Sequence, residues 1–331
     1  MGIKSLTSLI KSKSPEAIQS ISLYTLKDKT VAIDTSIFLY KSLANVRSNG
    51  DYLRNSDGKI VSHIVGMFHK TIQYLSLGIK PIYIFDGKPP IEKREVLDER
   101  NKKANESKKL SENSLTNEEK LKHEKNSIRI KKYHIDDLKK LFTIMGVSYI
   151  HPSGEAEAYA SELCRIGYVD YVVTEDMDTL AHGCPRMIRT CLDKSIKRKD
   201  VVSVISLDKI LTDFKMDMTE FTDMCILCGC DYCPTIPGVG TIRSYNYIQN
   251  YKSIDNLINS RKCTNIPDEF IKRYSLSRDL FSVFKDKIDI ENIDISSGGN
   301  SKEELIKFLV NECSMNEMRV NKSLDKIPVK I

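Results

Sequence analysis

The sequence predicts an α/β fold built on a central, mainly parallel sheet flanked by helices. Three observations carry that reading. The short runs Thr30-Val31-Ala32-Ile33, Pro81-Ile82-Tyr83-Ile84-Phe85 and Tyr171-Val172-Val173-Thr174 have the continuous apolar character of strands buried on both faces. Helical patterns at 36–46, 62–77, 135–145 and 155–166 fall between them, so the connections are crossovers and the strands pair in parallel. Gly78, Gly146 and Gly167 stand where those helices should end in a left-handed residue. Further strands are expected at 187–191 and 201–206.

The chain has 331 residues, 40% of them hydrophobic, enough for one large or two modest cores. Its 29% charged residues leave a net charge of +6, a mild bias toward polyanionic partners. No apolar run approaches the ~20 residues that cross a bilayer. The opening has no apolar signal region, and Leu6 stands where myristoylation needs Ser or Thr. A soluble intracellular protein with no membrane partner is expected, its 9 cysteines reduced.

Between Lys88 and Lys132 the composition turns to Lys, Glu, Asn and Ser. Such a stretch buries little, so it reads as a projecting helical or partly disordered insertion, or else as a solvated surface linker. Beyond about Asn265 irregular helices are expected.

The acids fall in a telling order. The first strand runs into Asp34, the second into Asp86, and the third into Glu175-Asp176-Met177-Asp178. Ligands of parallel α/β sheets bind beyond the C-terminal strand ends, so these carboxylates should converge on one edge. Glu155 and Glu157 open a helix after Pro152-Ser153-Gly154, where the helix dipole alone would also favour acids. Gathered carboxylates raise one another's pKa, and a hard divalent cation relieves that repulsion. Oxygen-only ligands select Mg²⁺ or Mn²⁺. Asp176 and Asp178, two apart in an extended segment, should face the same side. Glu155 and Glu157, two apart on a helix, should not, so one would ligate directly and the other through water or toward a second ion.

A helix over 221–227 leads to Gly229-Cys230-Asp231-Tyr232, then Thr235-Ile236-Pro237-Gly238-Val239-Gly240 and a second helix carrying Ile242, Tyr245 and Ile248. A helix, glycine hairpin and helix offer backbone N–H groups to a phosphate. Cys225, Cys228, Cys230 and Cys233 superficially form two Cys-x-x-Cys pairs, but their helical register suits small core residues better than a metal cluster.

Together these segments closely resemble the flap endonucleases of the xeroderma-pigmentosum-G-type nuclease family. The resemblance rests on Met1-Gly2-Ile3-Lys4-Ser5-Leu6, Val31-Ala32-Ile33-Asp34, Phe85-Asp86-Gly87-Lys88-Pro89-Pro90, Gly154-Glu155-Ala156-Glu157-Ala158, Thr174-Glu175-Asp176-Met177-Asp178 and Cys228-Gly229-Cys230-Asp231-Tyr232-Cys233. It runs from Met1 to about Asp325. It implies a PIN-like nuclease core with a helical arch insertion and a helix–two-turn–helix DNA-binding element. The corresponding regions are 1–107, 108–132 (arch), 133–220, 221–262 (helix–two-turn–helix) and 263–331.

The implied activity is Mg²⁺-dependent 5′-flap cleavage and 5′-3′ exonuclease action on branched DNA, in replication and repair. Asp34, Asp86, Glu155 and Glu157 would serve mainly one ion, and Asp176, Asp178 and Asp231 mainly the other, with Mn²⁺ able to substitute. Lys93 and Arg100 stand where the family places catalytic cations, although their surroundings alone read as a polar helix surface. Tyr40 matches a position that stacks near the junction; Arg47, Gly238, Gly240, Arg243 and Lys307 are the further DNA contacts.

Two departures qualify the implication. Thr241-Ile242-Arg243 keeps one basic residue where the family usually has two, so weaker duplex affinity is expected. No sliding-clamp motif or long basic tail is present, which tells against clamp-directed recruitment and against nuclear import through such a tail; a monomer is expected, in the nucleus or at a viral replication site. Two rival functions are a phosphatase, from Asp176-Met177-Asp178-Thr179, and a non-catalytic branched-DNA binder. The first leaves Asp34 and Asp86 unexplained, and the second leaves every motif carboxylate unexplained.

Overall fold

The computed structural model describes residues 2–327 except 49, 115 and 300, so Met1 of the opening motif and Leu115 of the charged stretch lie outside the described residues. The strands are β1 (Ile18–Ser22), β2 (Thr30–Asp34), β3 (Arg47–Ser48), β4 (Asp51–Tyr52), β5 (Lys80–Ile84), β6 (Ser148–Ile150), β7 (Tyr171–Val173), β8 (Arg186–Thr190), β9 (Val201–Ser206) and β10 (Ile295–Ser296). Eight of them form one sheet in the order β1-β9-β8-β7-β2-β5-β6-β10, while β3 and β4 make a separate hairpin. The centre, β8-β7-β2-β5-β6, is parallel. β9, β1 and β10 pair antiparallel at its margins.

The three expected central strands lie side by side, with β2 between β7 and β5. Their alternation explains why they read as uninterrupted apolar runs. Val31 and Ile33 pack into a core with Leu39, Phe68 and Phe142, whereas Ala32 between them packs into another with Ala156, Ala160 and Leu163. Both faces are covered, so neither register position can be polar. A third core, around Phe214, Phe221, Cys225 and Phe270, joins the N-terminal helix Leu6–Lys13 to the helices after β9. Cys225, Cys228 and Cys233 are buried there, as small core residues should be, and all nine cysteines are free thiols.

The helices begin and end where the local chemistry directs. Gly146 closes the helix Lys132–Met145 at φ +63°, while Gly78 and Gly167 follow their helices at φ +71° and +79°. The charged stretch forms two helices, Arg94–Glu112 and Asn117–Asn126, packed on each other. The first of these runs through position 107, the expected join between core and arch. After residue 265 come the helices Asp268–Phe281, Lys302–Ile306 and Glu317–Leu324, with a π-helical segment Lys307–Glu312 between the last two. No helix among the described residues is long and apolar enough to cross a membrane.

One glycine fixes how the sheet edge closes. A Cβ on Gly87 would run into the backbone of Pro152, Ser153 and Gly154. That contact lets Gly87 N–H donate to the Gly154 carbonyl at 2.8 Å and Lys88 N–H to that of Ser153 at 3.1 Å. It thereby seats Asp86 beside the turn that carries Glu155. Gly87→Ala should cost about 1–3 kcal/mol of stability, the usual range for an overpacked site, read as a lower urea midpoint at unchanged slope. An unchanged midpoint would mean the loop relaxes freely.

Candidate active site

Beyond the C-terminal ends of β2, β5 and β7 the structure gathers the acids predicted from the sequence. Asp34, Asp86, Glu155, Glu157 and Asp176, with Lys93 and Arg100, line one cleft of about 280 Å³. Asp178 and Asp231 adjoin it. Asp231 accepts both ends of a forked contact from the Arg100 guanidinium, at 2.8 and 3.0 Å. Asp178 is wholly buried.

Each carboxylate is aimed by a neighbour. Asp34 caps the helix Thr35–Asn45, accepting from Ile37 N–H at 3.3 Å, and its other oxygen accepts from the Thr174 hydroxyl at 2.9 Å. Asp86 accepts from the Ser36 hydroxyl and from Ala156 N–H at 3.0 Å. Tyr232 donates its hydroxyl to Glu155 at 2.5 Å. Sequence reasoning assigned no role to Thr174, Ser36 or Tyr232. The available signal was adjacency, since each lies within two residues of a motif acid or of its capping helix.

Two local expectations are corrected. Glu155 is not helical: it is the N-cap of Ala156–Arg165, with extended backbone at φ −70° and ψ 140°. The helical facing rule therefore does not separate it from Glu157, and both reach Lys93, Glu157 at 3.5 Å. The 176–178 segment is not extended either. Asp176 accepts from Asp178 N–H at 3.2 Å, a local turn that starts the short helix Asp178–Ala181. The two acids become neighbours through that turn rather than through strand alternation. Glu175 turns away to Lys41 at 2.7 Å and to Arg189 at 3.2 Å.

The electrostatics are those of an under-neutralised anion site. Burial, with Asp86 nearby, pushes the Asp34 carboxyl up to about 7. Burial likewise raises Glu157 well above the usual range, opposed by Lys93 and reinforced by Asp86. Asp178 is raised by burial and then by Asp176 and Asp231. Burial works against the Lys93 ammonium, but Glu157, Glu155 and Asp231 outweigh it and hold the group charged. Among the described residues neither oxygen of Asp178 has a hydrogen-bond partner of good geometry, although the Ile3 backbone N–H acts to lower its pKa. A buried carboxylate without a partner is expensive, and a cation is the partner its chemistry asks for.

Those donors fit a hard divalent ion: they are all oxygens, crowded, partly orphaned and short of positive charge. In the present arrangement no three His, Cys, Asp or Glu side chains among the described residues converge on one ligating point. Lys93 stands among them as the counter-ion, contacting Glu155, Glu157 and Asp231. Gly2 packs against two of the acids. A Cβ on Gly2, at φ +77°, would strike the side chains of Asp176 and Asp178, which gives the Gly2-Ile3 opening a steric reason.

The remaining candidates lie apart from the cleft. Tyr40 is 39% exposed and donates to the Lys125 carbonyl at 2.8 Å. Arg47 is not a free surface cation. Its guanidinium bonds Glu124 at 2.9 Å and lies over the Tyr52 ring at 4.2 Å, with its side chain 6% exposed. Gly238 has φ +77°, and its carbonyl accepts from Arg243 at 2.7 Å. Gly240, the N-cap of Thr241–Tyr251, has φ −107° and open space where a Cβ would stand. Nothing inside the fold requires that glycine. Lys307 is exposed on the π-helical segment, whose Phe308 and Leu309 pack into the core on the Phe142 side.

Known proteins resemble the chain over nearly its whole length. The XPG N-terminal domain matches residues 1–107 and the XPG I-region residues 146–231. Flap endonuclease 1 of Glycine max is 38% identical, over 99% of this chain and 87% of its own length. That of Debaryomyces hansenii is 37% identical, over 99% and 88%. Among solved structures, flap endonuclease-1 from Methanococcus jannaschii superposes with a TM-score of 0.70 at 30% identity, over 94% of this chain and 95% of that one. The catalytic core of Rad2 in complex with DNA substrate shares the fold, with a TM-score of 0.72 at 21% identity and 98% and 99% coverage.

Asp34 offers a test of these electrostatics in metal-free protein. With its carboxyl raised, the folded state binds a proton that the unfolded chain has lost between about pH 4 and 7. Stability contributed by that proton fades as pH rises through this window. Asp34→Asn should therefore gain on the parent with rising pH, by up to about 4 kcal/mol at pH 7 and above. Chemical denaturation in a chelator across the window measures the difference. A gap that does not change with pH would remove Asp34 from the repelling cluster.

Proposed function

The chain belongs to the flap endonucleases of the XPG-type nuclease family, and we propose that it removes 5′ flaps from branched DNA using two Mg²⁺ ions held by its seven clustered carboxylates. The observation that carries the reading is Asp178, a buried carboxylate whose two oxygens have no hydrogen-bond partner among the described residues and which lies beside other acids. Asp34, Asp86, Glu155 and Glu157 would hold one ion, and Asp176, Asp178 and Asp231 the other; Mn²⁺ would fit the same oxygens. Bound there, the ions would supply Lewis-acid chemistry, lowering the pKa of a water for attack on phosphorus and offsetting charge on the leaving oxygen.

The rest of the chemistry falls to the chain's own groups. Lys93 and Arg100 are spent on carboxylates here, but both line the cleft, Lys93 buried within it and Arg100 partly exposed. With the carboxylates otherwise neutralised, their cationic heads turn to the scissile phosphate and stabilise the charge that builds there. Tyr232, Thr174 and Ser36 keep Glu155, Asp34 and Asp86 in place while the phosphate changes. The carboxylates themselves repel DNA, so the duplex needs a separate hold. The hairpin at Gly238 and Gly240 with Arg243 supplies backbone N–H groups and one cation to a duplex phosphate. Tyr40 stacks at the junction, and the helices 94–112 and 117–126 border the passage for the free 5′ end. Arg47 reaches DNA only after leaving Glu124, and Lys307 is a peripheral contact. The same site would act as a 5′-3′ exonuclease. The reading includes a monomer acting at replicating or damaged DNA, in the nucleus or at a viral replication site.

On 5′-flap DNA the protein should cut in Mg²⁺ and stop in EDTA. Asp86→Ala and Asp178→Ala should abolish cutting while DNA binding persists. Near-normal turnover of either variant in saturating Mg²⁺ would remove that residue from the site. Lys93→Ala and Arg100→Ala should slow single-turnover chemistry by about 2–4 kcal/mol with little change in affinity. A change confined to affinity would make them positioning groups.

The DNA-holding half has its own test. Because the space around an added Cβ at Gly240 is open, Gly240→Val should fold, as circular dichroism would show, and obstruct an approaching phosphate. It should weaken binding to flaps of any duplex sequence, and Arg243→Ala should lower the salt-dependence slope by about 1. Unchanged affinity and slope in both variants would move the duplex-binding surface elsewhere.

A further inference from the structure

The helices Arg94–Glu112 and Asn117–Asn126 contribute no residue, among those described, to any of the three apolar cores. Polar contacts join them to the rest of the fold: Arg100 to Asp231, Glu95 to Arg273, Glu124 to Arg47, and the Lys125 carbonyl to Tyr40. Contacts of this kind are individually weak and open to competition from other charges.

Two of them fall on the side chains read above as DNA contacts. Glu124 accepts from Arg47 Nη1 at 2.9 Å, and the same nitrogen donates to the Gly50 carbonyl at 2.9 Å. Tyr40 donates to the Lys125 carbonyl at 2.8 Å. Glu124 and Lys125 are consecutive on one helix, so the two contacts form and break together. The docked state also leaves Arg47 incompletely served. Its Nε and Nη2 are buried and have no hydrogen-bond partner among the described residues, while Tyr52 covers the guanidinium at 4.2 Å. Unmet donors on a buried charge are costly. An Arg47 that leaves Glu124 for a phosphate can use two nitrogens of its fork at once, a better match than the single one Glu124 takes.

We propose that Glu124 is a specificity-determining residue of the cutting reaction: it holds the helix Asn117–Asn126 down on Arg47 and Tyr40 until a DNA phosphate takes its place. The choice of DNA as the displacing ligand rests on the proposed function; the docked contacts do not.

The gate separates substrates by what lies beyond their last base pair. A branched junction has chain that continues past that pair and brings a phosphate to Arg47, which releases the helix and frees Tyr40 to stack. A blunt duplex end stops at its last pair and offers no such phosphate, so the helix stays docked and the bound complex is held short of cutting. The selection is a shift between docked and released states, each DNA favouring one of them.

The test compares the full chain on a 5′-flap DNA and on a blunt duplex of the same sequence. In single turnover with saturating DNA and Mg²⁺, Glu124→Gln should cut the blunt end about fivefold faster than the parent, the upper end for a partly exposed ion pair. It should cut the flap at the parental rate, because the flap has already released the helix. In EDTA the same variant should bind the flap about fivefold more tightly, since no ion pair has to be broken, and that gain should vanish in an Arg47→Ala background. Glu118→Gln, the same charge change at an exposed position of the same helix, should do neither. Equal acceleration on both DNAs, equal tightening with and without Arg47, the same effects in Glu118→Gln, or no change at all would overturn the proposal. The binding comparison needs no cutting, so its failure is distinguishable from failure of the nuclease reading, which the parent on flap DNA in Mg²⁺ tests alone.

Discussion

Everything at the sheet edge answers to one constraint: seven carboxylates occupy a space that two basic side chains, Lys93 and Arg100, cannot neutralise. Burial first, and mutual repulsion after it, push Asp34, Glu157 and Asp178 upward, so that left alone such a cluster takes up protons. A fold does not gather buried like charges for stability. It tolerates them where a stronger cation than an ammonium is to be held. The surrounding structure is arranged to keep the acids from relaxing apart.

That arrangement is largely backbone. The parallel strands deliver Asp34, Asp86 and the 176–178 turn to a common edge, and close backbone contact at Gly87 holds the Glu155 turn against Asp86. Gly2 packs directly against Asp176 and Asp178. Each carboxylate apart from Asp178 is then oriented by a hydroxyl, an N–H or a basic group. Such fixed ligands hold an ion without reorganising, and this fits an enzyme whose chemistry is mostly positioning and charge.

The central fold and the composition of the site were legible because both depend on patterns the chain repeats: apolar runs ending in acids, and helices ending in glycine. Finer geometry was not. Of the sheet's marginal strands β9 was expected over 201–206, whereas β1, β6 and β10 escaped notice, the last two because they have three and two residues, too few for a period to show. The relation of Glu155 to Glu157 was misread because it depends on where the helix begins, and Glu155 is the cap rather than the first turn. Asp176 and Asp178 were expected to meet through strand alternation and meet through a hydrogen-bonded turn instead. Arg47 could not be distinguished from a free cation, because its partner Glu124 lies 77 residues away on the arch. Long-range pairing of that kind leaves no local signal.

The central claim is that the carboxylate cluster is completed by divalent cations and is strained without them. Ligand linkage makes that measurable without DNA or catalysis. The thermal midpoint of the metal-free protein should be followed as Mg²⁺ is added, with ionic strength held constant by a monovalent salt. The account predicts a midpoint that climbs with Mg²⁺ and does not climb in Asp178→Ala. A midpoint indifferent to Mg²⁺, or one that climbs equally without Asp178, would contradict it.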